Sequence, residues 1–160
     1  MSIKLDDITI RSERKKGDLG CIIYMHGLYY DYGIEFELYV ADLLTAFYRS
    51  MNPSDECMWL AEYNDEVIGS ICLKNTNRQA QLRYFLIHPD FRGIGLGKRM
   101  MDTFMEFLHA KNYQTSFLTT EGNLHRAAQL YEKYGYRYDS SSMTDFGLEE
   151  KKYVLHLGSK

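Results

Sequence analysis

The feature that most constrains the fold of this chain is a glycine-rich turn between two apolar segments. Residues 82–101 have the sequence LRYFLIHPDFRGIGLGKRMM, in which an apolar run, three alternating glycines and a second apolar segment follow one another. Glycine lets the backbone approach a ligand closely and adopt positive φ angles. When a helix follows, its first amides lack intrahelical partners and its dipole favours an anion. A strand, a glycine turn and a helix in this order predict an anion-binding site.

Basic residues beside the glycines indicate which anion is bound. Lys98 and Arg99 lie in the first turn of the predicted helix, and Arg92 precedes the glycines. A positive charge in the first turn opposes the helix dipole and costs about 0.3–1 kcal/mol. When a polyphosphate is bound, the same positive charge becomes favourable, because it attracts the negative phosphates. These side chains can also simply extend into water, but the adjacent glycines favour a phosphate site.

Two common nucleotide motifs do not match this turn. The dinucleotide motif GxGxxG requires a different glycine spacing, since Gly97 is followed by Lys98 here. The P-loop motif GxxxxGK[ST] fails because Arg92 and Arg99 occupy the positions that require Gly and Ser or Thr. A nucleotide-binding protein of another fold is therefore the weakest of our hypotheses.

The pattern of apolar residues predicts strands and helices along the whole chain. We predict strands over residues 3–11, 57–63, 67–73, 81–87, 113–119, 136–139 and 153–157. Helices are predicted over residues 17–30, 34–50 and 124–134, and from just after Gly97 to about residue 110. Polar residues 74–79 and 140–150 are predicted to be connections. The order β-α-α-β-β-β-α-β-α-β-β predicts a single mixed α/β domain over residues 1–160, with a mixed sheet flanked by helices.

Composition excludes several classes of protein. The formal net charge of -3 argues against a nucleic-acid partner, because such domains usually carry a basic excess. The three cysteines, Cys21, Cys57 and Cys72, are isolated, and no histidine pair has the spacing of a metal site, so we predict no metal. The chain start lacks a signal-peptide pattern, and no apolar run approaches the roughly 18–20 residues that span a bilayer. We expect a cytoplasmic protein without a membrane partner.

Two sequence blocks together resemble the GNAT superfamily of N-acetyltransferases. The first, Arg92-Gly93-Ile94-Gly95-Leu96-Gly97, is similar to the superfamily's pyrophosphate loop Arg/Gln-x-x-Gly-x-Gly/Ala, and Ile87-His88-Pro89 precedes it where Val-x-Pro is frequent. The second, residues 124–136 with the sequence LHRAAQLYEKYGY, is similar to the Ala-x-x-Leu-Tyr-x-x-x-Gly-Phe segment. More narrowly, the chain resembles the acetyltransferase half of MarR–GNAT fusion proteins over most of its length.

This resemblance implies a GNAT-like acyl-CoA N-acyltransferase fold with acetyl-CoA as the cofactor. In the superfamily, the strand before the loop splays from its neighbour and its backbone pairs with the pantetheine arm. The matching strand end is Leu86-Ile87-His88, and the N–H of Ile87 is expected to polarise the thioester carbonyl. Leu86 and Ile87 can pack in the core at the same time. The residues expected to bind the cofactor are Leu86, Ile87, His88, Arg92, Gly93, Ile94, Gly95, Leu96, Gly97, Lys98, Asn123 and Tyr131.

Two of these residues receive their roles from the second block. Tyr131 matches a tyrosine that many GNAT enzymes place near the cofactor sulfur. A phenol with an ordinary pKa near ~10 stays protonated and can donate to the departing thiolate. Tyr131 can equally be a core aromatic. Asn123 falls one residue early for a pantetheine contact and can instead cap the following helix.

The general base and the acceptor stay open. Some family members use a Glu on the central strand, but the corresponding strand here has no carboxylate. A water relay, Glu35, Glu37 or Glu121 could serve, although each of these carboxylates is more commonly a solvated surface group. The resemblance places the acceptor between the first two helices and residues 140–150. Candidate acceptor-binding residues are His26, Tyr29, Glu35 and Arg83, although aromatics at helical spacing and a lone histidine are more often structural.

The leading hypothesis is an acetyl-CoA-dependent N-acetyltransferase. It is expected to transfer acetyl to a primary amine of a small molecule or peptide by direct attack within a ternary complex. The alternative is a non-catalytic acyl-CoA-binding regulatory or interaction module, which could dispense with Tyr131. Strand edges and the 14 tyrosines favour a homodimer as one option.

Overall fold

The computed structural model describes residues 2–121 and 125–158, and it confirms the predicted mixed α/β fold. Four α-helices and seven strands follow one another in the predicted order within these residues. The strands are β1 (Thr9–Arg11), β2 (Cys57–Tyr63), β3 (Glu66–Thr76), β4 (Gln79–Ile87), β5 (Thr115–Glu121), β6 (Arg137–Met143) and β7 (Glu149–His156). The helices are α1 (Asp18–Tyr29), α2 (Gly33–Ser50), α3 (Leu96–Ala110) and α4 (His125–Lys133). Among the described residues, no helix combines the length and apolar character needed to cross a membrane.

The strands form one sheet in the order β1-β2-β3-β4-β5-β7-β6. All neighbours are antiparallel except β4 and β5, which run parallel. A parallel pair needs a crossover connection, and α3 provides it. The glycine turn therefore lies at the carboxyl end of β4, in the middle of the sheet.

Apolar side chains cover both faces of the sheet. On one face, α3 packs on the central strands through Met100, Met101, Phe104 and Leu108, which are buried. On the other face, α1 and α2 pack through residues that include Ile22, Phe36, Val40, Leu44 and Phe47. Strands covered on both faces consist of nearly continuous apolar residues. This is why residues 58–61 and 68–73 carry so few charges.

The connection between β3 and β4 is shorter than predicted. The polar residues 74–79 are not a loop, because β3 continues to Thr76 and β4 begins at Gln79. Only Asn77 and Arg78 form the turn, and both have positive φ angles, 53° and 68°. Two successive left-handed residues are typical of a tight hairpin turn, and asparagine adopts this conformation more readily than most residues.

The amino-terminal strand is also shorter than predicted. Residues 5–7 form a 3-10 turn, and the strand covers only Thr9–Arg11. The guanidinium of Arg99 on α3 donates to the carbonyl oxygens of Leu5, at 3.2 Å, and Ile8, at 3.1 Å. These long-range bonds hold the segment against α3 in a turned conformation. Local alternation of side chains cannot show such a contact.

The segment 140–150 is a hairpin and not the predicted loop. β6 extends to Met143 and pairs with β7 up to Glu149. All seven residues of β6 are exposed, and the strand forms an edge of the sheet. A polar sequence suits an exposed edge strand, because polar side chains discourage pairing with another chain. The prediction was wrong because polarity alone does not distinguish an edge strand from a loop.

A bulge in β4 redirects the side chains that approach the glycine turn. Cys72 of β3 pairs with Arg83, whereas Ser70 pairs with Leu86, so β4 has one extra residue in this interval. Tyr84 lies at the bulge with a φ of 52°. The extra residue reverses the alternation of side chains between the two faces. Tyr84 therefore packs with α1 and α2, and Phe85 packs on the face of α3.

A buried ion-pair network ties β1 to α1 and β2. The guanidinium of Arg11 binds both carboxylate oxygens of Asp18, at 2.7 and 3.0 Å, and Glu62 Oε2 at 2.8 Å. Burial disfavours the Asp18 carboxylate. The hydrogen bonds from Arg11 and the Lys15 amide outweigh that effect and lower the pKa of Asp18 below its ordinary value of 3.8. Asp18 therefore stabilises the fold above about pH 4, and its contribution is lost as the pH falls further.

We expect Asp18→Asn to reduce the free energy of unfolding by about 2 kcal/mol at pH 7, because a charge-assisted bidentate contact is lost. The deficit should shrink below pH 4, where the wild-type carboxyl also becomes neutral. Urea denaturation at several pH values measures both effects. Asp6→Asn, which changes an exposed carboxylate, is the control. A pH-independent deficit would contradict the linkage.

Candidate active site

A cleft opens where β4 and β5 separate. The two strands pair only at Ala80 with Ser116 and at Gln81 with Phe117. Beyond these pairs they diverge, and a cavity of about 940 Å³ lies between residues 82–87 of β4 and 119–121 of β5. The cavity continues to the glycine turn at one end and to α1 and α2 at the other. The separation of two parallel strands therefore connects the predicted phosphate site to a second pocket.

The backbone of Ile87 faces this cleft. Its carbonyl oxygen accepts a hydrogen bond from Nε of Arg92 at 2.9 Å, and both residues line the cleft. The N–H of the next residue, His88, points the opposite way and donates to the carbonyl of Ile68 at 2.8 Å. Backbone polar groups alternate in direction along a strand, with the N–H and C=O of one residue on the same side. The N–H of Ile87 is therefore directed into the cleft.

The side chain of Tyr30, the residue directly after α1, extends across the cleft to β4. Its hydroxyl donates to the carbonyl oxygen of Phe85 at 3.3 Å. Burial raises the pKa of Tyr30, the carboxylate of Glu121 raises it further, and the guanidinium of Arg92 lowers it. The Tyr30 hydroxyl thus lies within electrostatic range of both ends of the cleft.

The glycine turn has the backbone of an anion site. Gly93 and Gly95 have φ angles of 79° and 94°, which favour glycine over any other residue. Gly95 is the N-cap of α3, and the first intrahelical bond runs from the N–H of Arg99 to its carbonyl at 3.1 Å. The amides of residues 96–98 are therefore free of intrahelical partners. Gly97 lies in the helix itself, and a Cβ there would be 3.5 Å from Leu130 and 3.6 Å from Ile87.

The three basic residues beside the turn do not form one cluster. Arg92 lines the cleft, whereas Lys98 is exposed and pairs with Asp102 at 2.9 Å. Arg99 binds the carbonyls of the amino-terminal turn, so the structure does not support its predicted contribution to a phosphate cradle. Arg99 instead holds the amino-terminal segment, a role that depends on residues more than 90 positions away.

Tyr131 projects from α4 into the middle of the cleft. Its ring lies 6.2 Å from those of Phe85 and Tyr136, and the residue is buried. Its hydroxyl has no hydrogen-bond partner among the residues that the structure describes. Burial raises the pKa of Tyr131 well above 10, and the neighbouring Tyr30, Tyr136 and Glu121 raise it further. The phenol is therefore protonated at neutral pH and keeps a proton that it can donate.

The end of α4 fixes the position of Tyr131. As predicted, the helix is followed by Gly135, which has a φ of 99°. The N–H of Tyr136 donates to the carbonyl of Tyr131 at 3.2 Å, and that of Gly135 donates to the carbonyl of Glu132 at 3.0 Å. These two bonds form the Schellman motif. The Tyr136 hydroxyl then bonds Oγ of Ser116 at 2.7 Å, which attaches the helix end to β5.

Aromatic rings surround the end of the cleft farthest from the glycine turn. The rings of Tyr30 and Phe36 are 5.6 Å apart, and both line the cavity together with Tyr39. Phe146, from the hairpin between β6 and β7, lies 5.2 Å from Tyr39 and 6.1 Å from Phe36. The first two helices and the segment 140–150 therefore meet here, as the family resemblance implied.

His26 is a neutral residue in this aromatic region. It lines the cleft, and Nδ1 lies 2.8 Å from the carbonyl oxygen of Ile22. Since a carbonyl only accepts, Nδ1 carries the proton and Nε2 is left as an acceptor. Burial lowers the pKa of His26 to about 4. At neutral pH His26 can therefore accept a hydrogen bond but carries no charge.

The carboxylates in the cleft come from β5 and β7. Glu121 and Glu150 are paired across these strands, and both line the cavity. Burial raises the pKa of Glu121, and the neighbouring Glu150 raises it further. Glu35 and Glu37 are exposed on α2 and do not line the cleft, so the structure does not support either as an acceptor contact or a base.

The structure brings together part of the predicted site. Tyr29, Arg83, Leu86, Ile87, Arg92, Gly93, Gly97 and Tyr131 line the cleft with His26. The side chain of Leu96 is buried in the core, and Nδ1 of His88 accepts the N–H of Asp90 at 3.0 Å, so neither side chain faces the cavity. The side chains of Ile94 and Lys98 also lie outside the cavity lining. Asn123 lies outside the described residues.

Two cleft residues carry no clear signal in the sequence. Tyr30 is one of several tyrosines in the segment Tyr29-Tyr30-Asp31-Tyr32, and nothing local distinguishes it from its neighbours. Glu150 lies in a charged stretch, and only its pairing with Glu121 brings it to the cavity. Identifying Glu150 would have required recognition that β7 begins at Glu149 and not at residue 153.

Comparison with known sequences gives one family. A profile described as "Acetyltransferase (GNAT) family" matches residues 24–136. The chain is 30% identical over 95 residues to "Probable N-acetyltransferase san" of Drosophila melanogaster, covering 56% of this chain and 52% of that protein. It is 25% identical over 117 residues to "Probable N-acetyltransferase camello" of Xenopus tropicalis, covering 70% and 53%. The chain thus spans about half the length of these curated relatives.

Solved structures share the fold. An acetyltransferase from Streptococcus agalactiae superposes with a TM-score of 0.77 at 22% identity, covering 96% of this chain and all of the other. A GNAT family acetyltransferase from Elizabethkingia anophelis, with acetyl-CoA bound, superposes with a TM-score of 0.70 at 17% identity, covering 95% and 99%. At these identities the likeness shows the fold alone.

Proposed function

This chain belongs to the GNAT acetyltransferase family, and on that premise we propose that it transfers the acetyl group of acetyl-CoA to a primary amine of a small molecule or peptide. One observation carries the proposal. A single cleft connects the free amides of the glycine turn to the outward-facing backbone of Ile87 and to the protonated phenol of Tyr131. An anion site, a backbone donor and a proton donor therefore line one continuous path.

The residues of the glycine turn fit a coenzyme A pyrophosphate. The positive φ angles of Gly93 and Gly95 and the free amides of residues 96–98 provide a concave surface of N–H donors. Arg92 adds a positive charge at the same place. The splayed edge of β4 offers the backbone of Ile87 to the amide groups of a pantetheine arm. When bound, acetyl-CoA supplies a thioester and a thiol leaving group.

The chain's own groups then have distinct tasks. The N–H of Ile87 can donate to a carbonyl oxygen as negative charge develops on it, a contribution that needs no side chain. Tyr131 holds a proton in the middle of the cleft and can donate it to a departing thiolate. The aromatic rings at the other end of the cleft can pack against the apolar part of an amine bound there.

Direct attack by the amine is favoured over an acyl-enzyme. Cys21, Cys57 and Cys72 do not line the cleft. Burial raises the pKa of all three thiols, to about 11 for Cys57 and well above 9 for Cys72. A thiol must ionise to be a strong nucleophile, so none of the three is suited to carry the acetyl group.

Three narrower properties are proposed on the sequence alone. They are the similarity to the acetyltransferase half of MarR–GNAT fusion proteins, a cytoplasmic location and a homodimer.

The proposal is tested in two steps. We expect calorimetry to detect acetyl-CoA binding that excess ATP does not displace, because in the proposed complex the pantetheine arm adds contacts with β4 that ATP cannot make. Thiol release, followed with a disulfide reagent over a panel of amine classes, should then exceed the rate without amine. A folded protein that binds acetyl-CoA but releases no thiol with any amine would contradict the transferase assignment. A folded protein that does not bind coenzyme A would contradict both the cofactor and the transferase assignment.

A further inference from the structure

The acceptor end of the cleft has an aromatic wall. Tyr30 and Tyr32 stack with their ring centroids 5.9 Å apart, and Phe36 lies edge-on to each of them, at 5.6 and 5.2 Å. Phe146 and Tyr39 continue the series of rings. Flat apolar groups and cations are the ligands that such a wall attracts, the former by stacking and the latter by the ring quadrupole.

A carboxylate lines the same cavity as the rings of Tyr30, Phe36 and Tyr39. Glu121 is the last residue of β5 and is half-buried. Glu121 lines the same cavity as Tyr30, Phe36 and Tyr131. Its negative charge raises the pKa of the hydroxyls of Tyr30, Tyr32 and Tyr131. The same carboxylate is therefore close both to the aromatic wall and to the phenol in the middle of the cleft.

This combination selects the charge of the acceptor. A carboxylate that loses water when a ligand enters is stabilised by a cation and penalised by a neutral or anionic group. Glu150, beside Glu121 in the sheet, adds a second negative charge. A primary ammonium offsets the negative charges of both carboxylates, and its apolar substituent can then pack on the aromatic rings.

We propose that the acceptor is a primary ammonium on an aromatic stem, and that Glu121 binds the ammonium group and removes its proton before attack. This inference rests on the proposed function and adds the substrate class and the general base. The residues that carry it are Glu121, Glu150, Tyr30, Phe36, Tyr39 and Phe146.

The proton balance is complete with groups in the cleft. The nitrogen gives one proton to Glu121, and its lone pair then forms the C–N bond while the C–S bond breaks. The thiolate takes a proton from Tyr131. The second proton of the nitrogen restores Tyr131, and Glu121 releases the first to solvent. One acetamide, one thiol and one free proton result for each ammonium consumed.

Burial supports this role of Glu121. A carboxyl group whose pKa is raised accepts a proton from an ammonium more readily than an exposed one. Several charged and titratable groups line the cleft with Glu121: His26 and Tyr29 on α1, Tyr30 directly after α1, Tyr39 on α2, Arg83 and Tyr84 on β4, Arg92 before the glycine turn, Arg126, Tyr131 and Lys133 on α4, and Glu150 on β7. Tyr32, before α2, is near enough for the charge of Glu121 to raise its pKa.

Binding to the protein–coenzyme A complex tests recognition without turnover. We expect calorimetry to show that 2-phenylethylamine binds and that its neutral analogue, 2-phenylethanol, does not. Hexylamine, which has the charge but no ring, should bind about 2- to 10-fold more weakly, the range of an aromatic pair. Glu121→Gln should weaken 2-phenylethylamine binding about tenfold or more, since a charge-assisted contact is lost. Glu149→Gln, which changes an exposed carboxylate at the start of β7, is the matched control.

The pH dependence of kcat/KM tests proton removal. In the wild type, activity should level off once Glu121 is ionised. In Glu121→Gln it should keep rising until the amine itself loses its proton, because no base is left to remove it. Equal ammonium affinity and equal pH profiles in the wild type and Glu121→Gln would overturn the inference, as would equal binding of 2-phenylethanol. Acetyl-CoA binding and thiol release with other amines would still support the transferase, so the two failures are distinguishable.

Discussion

Gly95→Glu is expected to abolish acetyl-CoA binding in a chain that still folds. Gly95 is the N-cap of α3, with a φ of 94°, and a Cβ there would be 3.6 Å from Leu5. The new carboxylate would stand among the amides that are expected to hold the pyrophosphate. Like charges placed together across an interface cost several kcal/mol, so we expect an affinity loss of about a thousandfold or more.

The control for this change is Gly17→Glu. Gly17 is the N-cap of α1, with a φ of 92°, and nothing lies within 4 Å of the position that a Cβ would take there. Both substitutions place a side chain on a left-handed backbone, at a cost of about 1–2 kcal/mol. Calorimetry with acetyl-CoA and thermal unfolding should therefore show similar stability losses, with binding lost only in Gly95→Glu. Equal affinity in the two variants would place the phosphates elsewhere.

Tyr131→Phe is expected to lower kcat by about 100-fold or more, the lower end of the usual range for general acid catalysis. The substitution keeps the ring between Phe85 and Tyr136 and removes only the hydroxyl. The hydroxyl has no hydrogen-bond partner among the described residues, so its loss should leave the free energy of unfolding nearly unchanged. Acetyl-CoA affinity should change little, because the Tyr131 hydroxyl is not one of the amide and guanidinium groups expected to hold the phosphates. Steady-state kinetics, calorimetry and urea denaturation measure the three quantities.

Tyr136→Phe is the matched control, because Tyr136 is also buried but its hydroxyl bonds Ser116. We expect it to reduce stability by about 1 kcal/mol and to leave kcat within a few-fold of the wild type. Comparison of Tyr131→Phe with Tyr136→Phe therefore distinguishes a catalytic role of the hydroxyl from a role in packing and stability. If Tyr131→Phe leaves the rate of thiol release unchanged, Tyr131 is not the general acid; if neither the wild type nor the variant releases thiol with any amine, the non-catalytic acyl-CoA-binding hypothesis gains support over the transferase.

Much of the fold could be predicted because it is encoded locally. The amphipathic periods of α2 and α3 and the continuous apolar runs of β2 and β3 predicted the elements and their order. The glycines at 93, 95 and 135 marked the turn before α3 and the end of α4, since positive φ angles are a local requirement. The errors fall on short or polar elements, the amino-terminal strand and β6, where periodicity is weak and pairing partners decide the structure.

The site could be predicted only in part, for a related reason. Arg99 and Arg92 look equivalent in the sequence, yet Arg99 binds the amino-terminal turn and Arg92 binds the edge of β4. Glu35 and Glu121 are both candidate bases from the sequence, yet only Glu121 lines the cleft. Which partner a long side chain meets depends on elements distant in the chain.

The sequence by itself determined the order of the elements, the glycine turn and the match to the GNAT family, because period, backbone conformation and motif spacing are properties of neighbouring residues. Only the tertiary structure decided where β4 and β5 separate and which carboxylate lines the same cavity as the aromatic rings. It also decided to which face of the sheet the side chains on either side of the bulge at Tyr84 point. These features depend on strand pairing and packing between segments far apart in the chain. Local sequence does not specify the free energies of such long-range contacts.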